Sequence, residues 1–426
     1  MRVFKFGGAS VKDADGVRNL ARILSSFKDE KLVVVISAMG KTTNALEKVV
    51  EAYYKNDATV ASQYLQGVKD FHSQIIADLE FKSPDEIKKE IDAVFVEMEW
   101  TLEEETARSK GYAFSYDQLV SQGEGLSTKI ISRWLNENNV ANLWVDARDV
   151  IITDNTYRDA RIDWKETEKL ANEKLPPLFK TNRIIITQGF IGATSENFST
   201  TLGREGSDYT AAILAYALNA EEVVVWKDVP GVLSADPKFY PDAVKLEQVS
   251  YHDAIELTYY GATVIHPKTI KPIENKNIPL RVCSFKDMSG KGTLIGNFKD
   301  TLPQVPCFIF KINQILISIS AKDFSFIAEE NISEIYSIIF RHKAKVNLMQ
   351  NSAISFSLCV DNDPFKIPSL LHDLEKKFNV LYNDGLRLVT IRHYHPSTIE
   401  TLMNGEHVLL EQRSRHTAQL IMKDHE

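Results

Sequence analysis

Lys5, Gly7 and Gly8 close the first strand-like run of the chain, RVFKFGG. Glycine in a strand packs nothing and costs backbone entropy, so the pair marks a turn or a close approach of backbone to another group. Amides freed at such a turn, with a lysine two residues earlier, make a cradle for phosphate. An ordinary strand-to-helix turn has the same residues. Other stretches add charge. In VSQGEGLST, Glu124 stands between two glycines at a helix start, where it either answers the helix dipole or receives a cation. In TTLGREGSDYTAA, Arg204 precedes a helix whose first turn holds Ser207 and Asp208. Arginine grips a carboxylate or phosphate through two parallel hydrogen bonds. Asp208 reads as an N-cap, or as the acid that anchors Mg2+ or orients a lysine. WKDVPGVLSADPK carries Lys227, Asp228, Gly231, Asp236 and Lys238, a turn-rich lip suited to a nucleotide. SAMGKTTN ends like a phosphate-binding loop, but Val35 stands where that motif needs its first glycine. Ser37 and Thr43 in the same stretch can line a pocket or cap a helix.

These loops follow short β-branched runs: RVFKFGG, KLVVVISAMG, NLWVDARD, RIIITQGFIG, AEEVVVWKDV and PLRVCSF. Near-continuous apolar strands are buried on both faces, which predicts a mostly parallel sheet covered by helices. Open sheets of that kind bind ligands at the carboxyl ends of their strands. From Thr43 to Lys110 apolar residues recur at three- and four-residue spacing, which predicts packing helices. After Pro303 come two separate strand-like runs, FIFKI and ILISIS, then a helix, two strands, a helix and a strand, a separate α+β unit.

With 426 residues, 44% hydrophobic and 25% charged, the chain has the composition of a soluble globular protein of two or three domains. A net charge of −8 and a pI near 5.8 argue against a nucleic-acid binder. The three cysteines lack C-x-x-C spacing, as expected in a reducing cytoplasm without disulfides or a thiolate metal site. No apolar run has signal-peptide or membrane-spanning character, so no membrane association is expected.

KFGGAS, VSQGEGLST, ITQGFIG, TTLGREGSDYTAA and WKDVPGVLSADPK, in that order, followed by HPKTIKPIENKNIPLRVCSFKDMSGKGTLI, resemble an aspartate kinase of the amino-acid kinase superfamily. The resemblance implies an open αβα sandwich over residues 1–295 that uses ATP and Mg2+ to phosphorylate the β-carboxylate of L-aspartate. That reaction is the entry step towards lysine, threonine and methionine. It assigns Lys5, Gly7, Gly8 and Asp208 to the phosphoryl group. Arg204 would take the substrate α-carboxylate and Glu124 its ammonium, with Ser37, Thr43 and Ser207 nearby. Lys227, Asp228, Gly231, Asp236 and Lys238 would face the nucleotide. No protein metal ligand is assigned. The chemistry asks for little else: an ionised carboxylate needs no general base, only juxtaposition of two anions in a positive field. Four positions depart from the family pattern: Ala9 for a hydroxyl residue, Glu205 for glycine, Lys227 for threonine and Thr263 for lysine.

Residues 305–426 resemble a pair of ACT domains, amino-acid-sensing modules, with an inner unit at about 314–383. The outer unit, 305–312 plus 385–426, is reduced. The resemblance implies a homodimer or higher homo-oligomer and an amino-acid effector. Lysine-sensitive relatives carry a glycine, an aspartate and a Thr-Ser-Glu-like run where this chain has Glu330, Asn347 and Asn351-Ser352-Ala353. Weak or absent lysine feedback is therefore expected, and plain dimerisation is the simpler role for the region. Three other functions compete with the aspartate kinase reading: a sensor that keeps the fold without turnover, a nucleotide switch built on SAMGKTT, and a kinase for glutamate.

Overall fold

The structure is a computed structural model and describes residues 1–103, 108–262, 265–323, 325–403 and 405–424. Thr263, one of the departures noted above, lies outside the described residues. The chain divides into two compact units. The first comprises residues 1–232, 246–255 and 264–301; the second comprises 233–245, 256–263 and 302–426. Two segments from within the expected kinase span thus group with the C-terminal unit.

The first unit is built on an eight-stranded sheet. Its strands are β1 (Arg2–Phe6), β2 (Leu32–Ile36), β3 (Leu143–Val145), β4 (Ile184–Gln188), β7 (Glu222–Lys227), β8 (Gln248–Ser250), β9 (Leu280–Ser284) and β10 (Thr293–Gly296). A small hairpin of β5 (Ile191–Ala193) and β6 (Ser199–Thr201) stands apart. The sheet order is β3-β4-β2-β1-β7-β9-β10-β8, and every pair is parallel except β9 with β10. All six predicted runs are strands of this sheet, and β2 and β4 are buried along their whole length. The chain fills one side of β1 with β2 and β4, then crosses to β7 on the other, so the carboxyl ends of these strands frame one crevice.

Strand alternation decides which side chains face which layer. Phe4, Phe6, Val34, Ile36, Val224 and Trp226 join one core with helices Ala14–Ser26, Thr42–Tyr54, Ala58–Asp78, Pro84–Glu103 and Gln122–Glu137. Lys5 and Lys227 therefore take the opposite face, against which helix Gly206–Leu218 packs. That helix is buried on nearly all sides because helices Trp164–Leu178 and Pro267–Asn275 cover it.

The second unit is a six-stranded antiparallel sheet of order β12-β13-β11-β14-β16-β15. It comprises β11 (Cys307–Ala321), β12 (Val346–Asn351), β13 (Phe356–Asp361), β14 (Phe378–Arg392), β15 (Val408–Arg413) and β16 (Thr417–Lys423). Helices Glu329–Arg341 and Ile367–Glu375 close one core of this unit. Helix Pro396–Met403 joins Ala235, Tyr240 and Ala243 in another. FIFKI and ILISIS, expected as separate strands, are one: β11 runs through both, with irregular register between Lys311 and Leu316 where Asn313 takes φ +54°. A bulge absorbs the polar interruption that breaks the apolar pattern in the sequence.

Candidate active site

A cavity of about 510 Å3 opens at the carboxyl ends of β1, β2 and β7. It gathers Lys5, Gly8, Ser37, Thr43, Glu124, Arg204, Ser207, Asp208 and Lys227, residues spread over more than half the sequence. Gly7 borders Lys5: a Cβ there would stand 3.2 Å from the Lys5 Nζ. At Gly8 a Cβ would meet the Ala38 and Gly40 carbonyl oxygens at 2.7 and 2.9 Å, so this glycine lets the β1 and β2 loops touch. The Gly40 amide donates to the Gly8 carbonyl across that contact at 3.1 Å.

One end of the cavity is a three-membered charge cluster. The Asp208 carboxylate forms an ion pair with Lys5, whose Nζ lies 2.6 Å from one oxygen, and the other oxygen lies 3.4 Å from Lys227 Nζ. Asp208 is only 2% exposed and Lys5 8%. Burial works to raise the Asp208 carboxyl, but the two lysine charges outweigh it and hold the group below the usual carboxylate range. Two lysine ammonium groups around one carboxylate at the rim of a cavity set a positive potential that suits an anion. Asp208 Oδ1 is buried without a hydrogen-bond partner. Among the described residues no group of three His, Cys, Asp or Glu could hold a metal ion.

The other end combines loops with a helix start. Glu124 lies in the first turn of helix Gln122–Glu137, where its Oε1 accepts the Ala38 amide at 3.3 Å. Its Oε2 is buried without a hydrogen-bond partner. Burial pushes the carboxyl up to about 8 against the opposing pull of the Ala38 amide and the Lys5 charge. Ser127 donates to the Ser37 carbonyl at 2.8 Å and fixes the β2 loop over this helix. Arg204 is exposed, and Glu205 caps helix Gly206–Leu218 with φ +54°. At Gly189 a Cβ would stand 2.4 Å from the Ser207 Cβ, so ITQGF must be glycine there to seat the helix start.

Asp228, Gly231, Asp236 and Lys238 do not line this cavity. Gly231 has φ +148° and packs on Thr293, whose Oγ1 accepts the Val232 amide at 2.8 Å. Asp236 accepts the Lys238 amide at 2.9 Å, and both belong to the second unit. Three lining residues lie outside the loops quoted from the sequence: Glu47, Tyr116 and Arg158. Glu47 follows Thr43 by one helical turn, a spacing that places both on one face. Arg158 and Tyr116 carry no local signal, because only the tertiary fold brings them to the cavity.

Known proteins resemble this chain over most of its length. The Amino acid kinase family profile matches residues 1–284. The lysine-sensitive aspartokinase 3 of Escherichia coli (strain K12) is 33% identical over 396 residues, which covers 91% of this chain and 86% of that protein. A crystal structure of E. coli aspartokinase III with lysine and aspartate superposes with a TM-score of 0.86 at 29% identity, covering 99% of this chain and 95% of that one. The same enzyme with aspartate and ADP gives a TM-score of 0.80 at 29% identity, over 99% and 96% of the two chains.

Proposed function

The chain belongs to the amino acid kinase family, and from that premise we propose that it is an aspartate kinase, which transfers the γ-phosphoryl group of MgATP to the β-carboxylate of L-aspartate. The reading is carried by one observation: the Lys5–Asp208–Lys227 cluster shares a cavity with Arg204 and Glu124. A carboxylate oxygen attacks the γ-phosphorus as the bond to the β-phosphate oxygen breaks, giving 4-phospho-L-aspartate and ADP. Both reactants are anions, so the protein's task is to juxtapose them and to meet the charge on the equatorial oxygens. Lys5, Lys227 and the Gly7-Gly8 amides supply positive potential, and Asp208 holds the two ammonium groups in place before the reaction starts. Arg204 takes the α-carboxylate. Glu124 takes the ammonium, which draws its buried carboxyl into the ionised form on binding. Ser37, Thr43 and Ser207 line the substrate. Asp228 and Gly231 serve the nucleotide from the lip after β7.

The second unit is proposed as the sensing and assembly part of a cytoplasmic homodimer. Its large exposed apolar side chains, Phe340 at 83% and Leu381 at 77%, support the assembly role. At the lysine-sensing position Asn347 is already engaged, accepting Lys311 Nζ at 2.7 Å and donating to Asp361 at 2.7 Å. Lysine feedback through it is accordingly weak. Incubation with saturating ATP, L-aspartate and hydroxylamine should accumulate β-aspartyl hydroxamate. Product no higher than background, or product from glutamate alone, overturns the assignment.

A further inference from the structure

The amino-acid end of the cavity holds a cation that the roles above leave unused. Arg158 lines the cavity, yet among the described residues its guanidinium makes no hydrogen bond or ion pair. The guanidinium lies over the Tyr116 ring, 4.4 Å from its centroid, and 5.4 Å from that of Tyr112. Tyr116 is itself fixed, because its hydroxyl donates to Glu47 Oε1 at 2.6 Å. Stacking presets the plane of the fork while leaving its edge donors open.

The backbone is committed as well. Arg158 takes φ +72°, a conformation that costs a long side chain energy and persists where surroundings over-determine it. The determinant is buried Asp117. One of its carboxylate oxygens accepts the Arg158 amide at 3.0 Å and the Thr201 amide at 2.8 Å, and the other accepts the Thr201 hydroxyl at 2.7 Å. Thr201 begins the stretch that leads through Gly203 to Arg204. The two segments touch there: a Cβ on Gly203 would stand 2.6 Å from Asp159 Oδ1 and 3.4 Å from the Arg158 carbonyl oxygen. One buried aspartate thus staples together the loops that carry the two guanidiniums.

We propose that Arg158 is a substrate-binding, specificity-determining residue which joins Arg204 in holding the α-carboxylate of the amino-acid substrate. This assignment rests on the aspartate kinase reading. It follows from position, since Arg158 borders Gly203-Arg204 and the positive cluster at the phosphoryl end already has its own cations. Of the two arginines, Arg158 is the more pre-organised.

The test uses the full chain with aspartate and with its α-amide, which lacks the carboxylate charge. Arg158→Gly suits the positive φ, so its melting temperature should not fall. Its KM for aspartate should rise about 10- to 100-fold, the order expected for one charge-assisted contact. KM for ATP should stay within about twofold, and discrimination between aspartate and the α-amide should shrink by the same factor as the KM rise. Arg158→Lys, which keeps the charge without the fork, should fall between. An unchanged aspartate KM in Arg158→Gly, a rise in the ATP KM instead, or undiminished discrimination against the amide overturns the assignment. Absence of hydroxamate from the unmutated chain overturns the aspartate kinase reading itself, a result independent of any Arg158 variant.

Discussion

At one end of the cavity the charges stand on adjacent strands: Lys5 on β1 and Lys227 at the end of β7, bridged by an aspartate that is almost wholly buried. At the other end Arg158 and Arg204 stand exposed on loops, Arg158 and Glu205 take left-handed backbone conformations, and only Glu124 is buried, at a helix start. Sheet strands fix a side chain through two neighbours and a core; loops fix it only by what they touch. The strand-borne end suits a demand that is the same in every turnover, charge on a transferring phosphoryl group. The loop-borne end suits recognition, where geometry has to be tuned to one substrate. Substitutions at the first end should therefore act on rate, and at the second on binding.

The largest effect should come from Lys5→Ala, which removes a cation whose contribution grows in the transition state. kcat should fall by roughly 100- to 1,000-fold with little change in KM for aspartate. A large KM change with kcat preserved would erase the distinction between the two ends. Arg204→Ala should do the reverse and raise KM for aspartate by about 10- to 100-fold with KM for ATP nearly constant. Steady-state kinetics in both substrates would show an ATP effect if the substrate end is misassigned.

Glu124 sharpens the comparison through pH. In the free protein its carboxyl ionises near 8, so below that pH it must release a proton before it can pair with an ammonium. KM for aspartate should therefore rise by up to about tenfold per pH unit as pH falls below 8, and level off above it. Glu124→Gln should flatten the profile, and calorimetry in buffers of different ionisation enthalpy should register a proton released on binding. The smallest effect concerns the second unit. With Asn347 held by Lys311 and Asp361, millimolar lysine should change activity by less than about twofold. Sub-millimolar inhibition in a lysine titration would refute this.

The strand-borne end was the more legible in the sequence. Apolar β-branched runs ending in Gly-Gly or Lys-Asp carry their own local signal, and alternation along β1 and β7 puts both lysines on one face. The bridge from Lys227 to Asp208 was not legible, because it depends on which strands lie side by side. Arg158 was invisible for the same reason: its neighbours Tyr116, Asp117 and Gly203 lie far from it along the chain. In the second unit the polar KINQ stretch hid the continuity of β11, since a bulge keeps a strand going where the periodicity stops.

The passage of the chain between its two units bears on how such a protein can be inherited. Residues 233–245 and 256–263 belong to the C-terminal unit, while 246–255 and 264–301 return to the first. Ala235, Tyr240 and Ala243 fill a core alongside Phe308, Val389 and Ile399. A recombination event that joined this kinase half to a foreign sensor at one crossover point would leave those three side chains without their complement. A transplant succeeds only if the incoming sensor brings a matching groove, or if both internal excursions are exchanged with it. A substitution in 233–245 that shrinks this core should therefore be rescued by an enlarging one among Phe308, Val389 and Ile399.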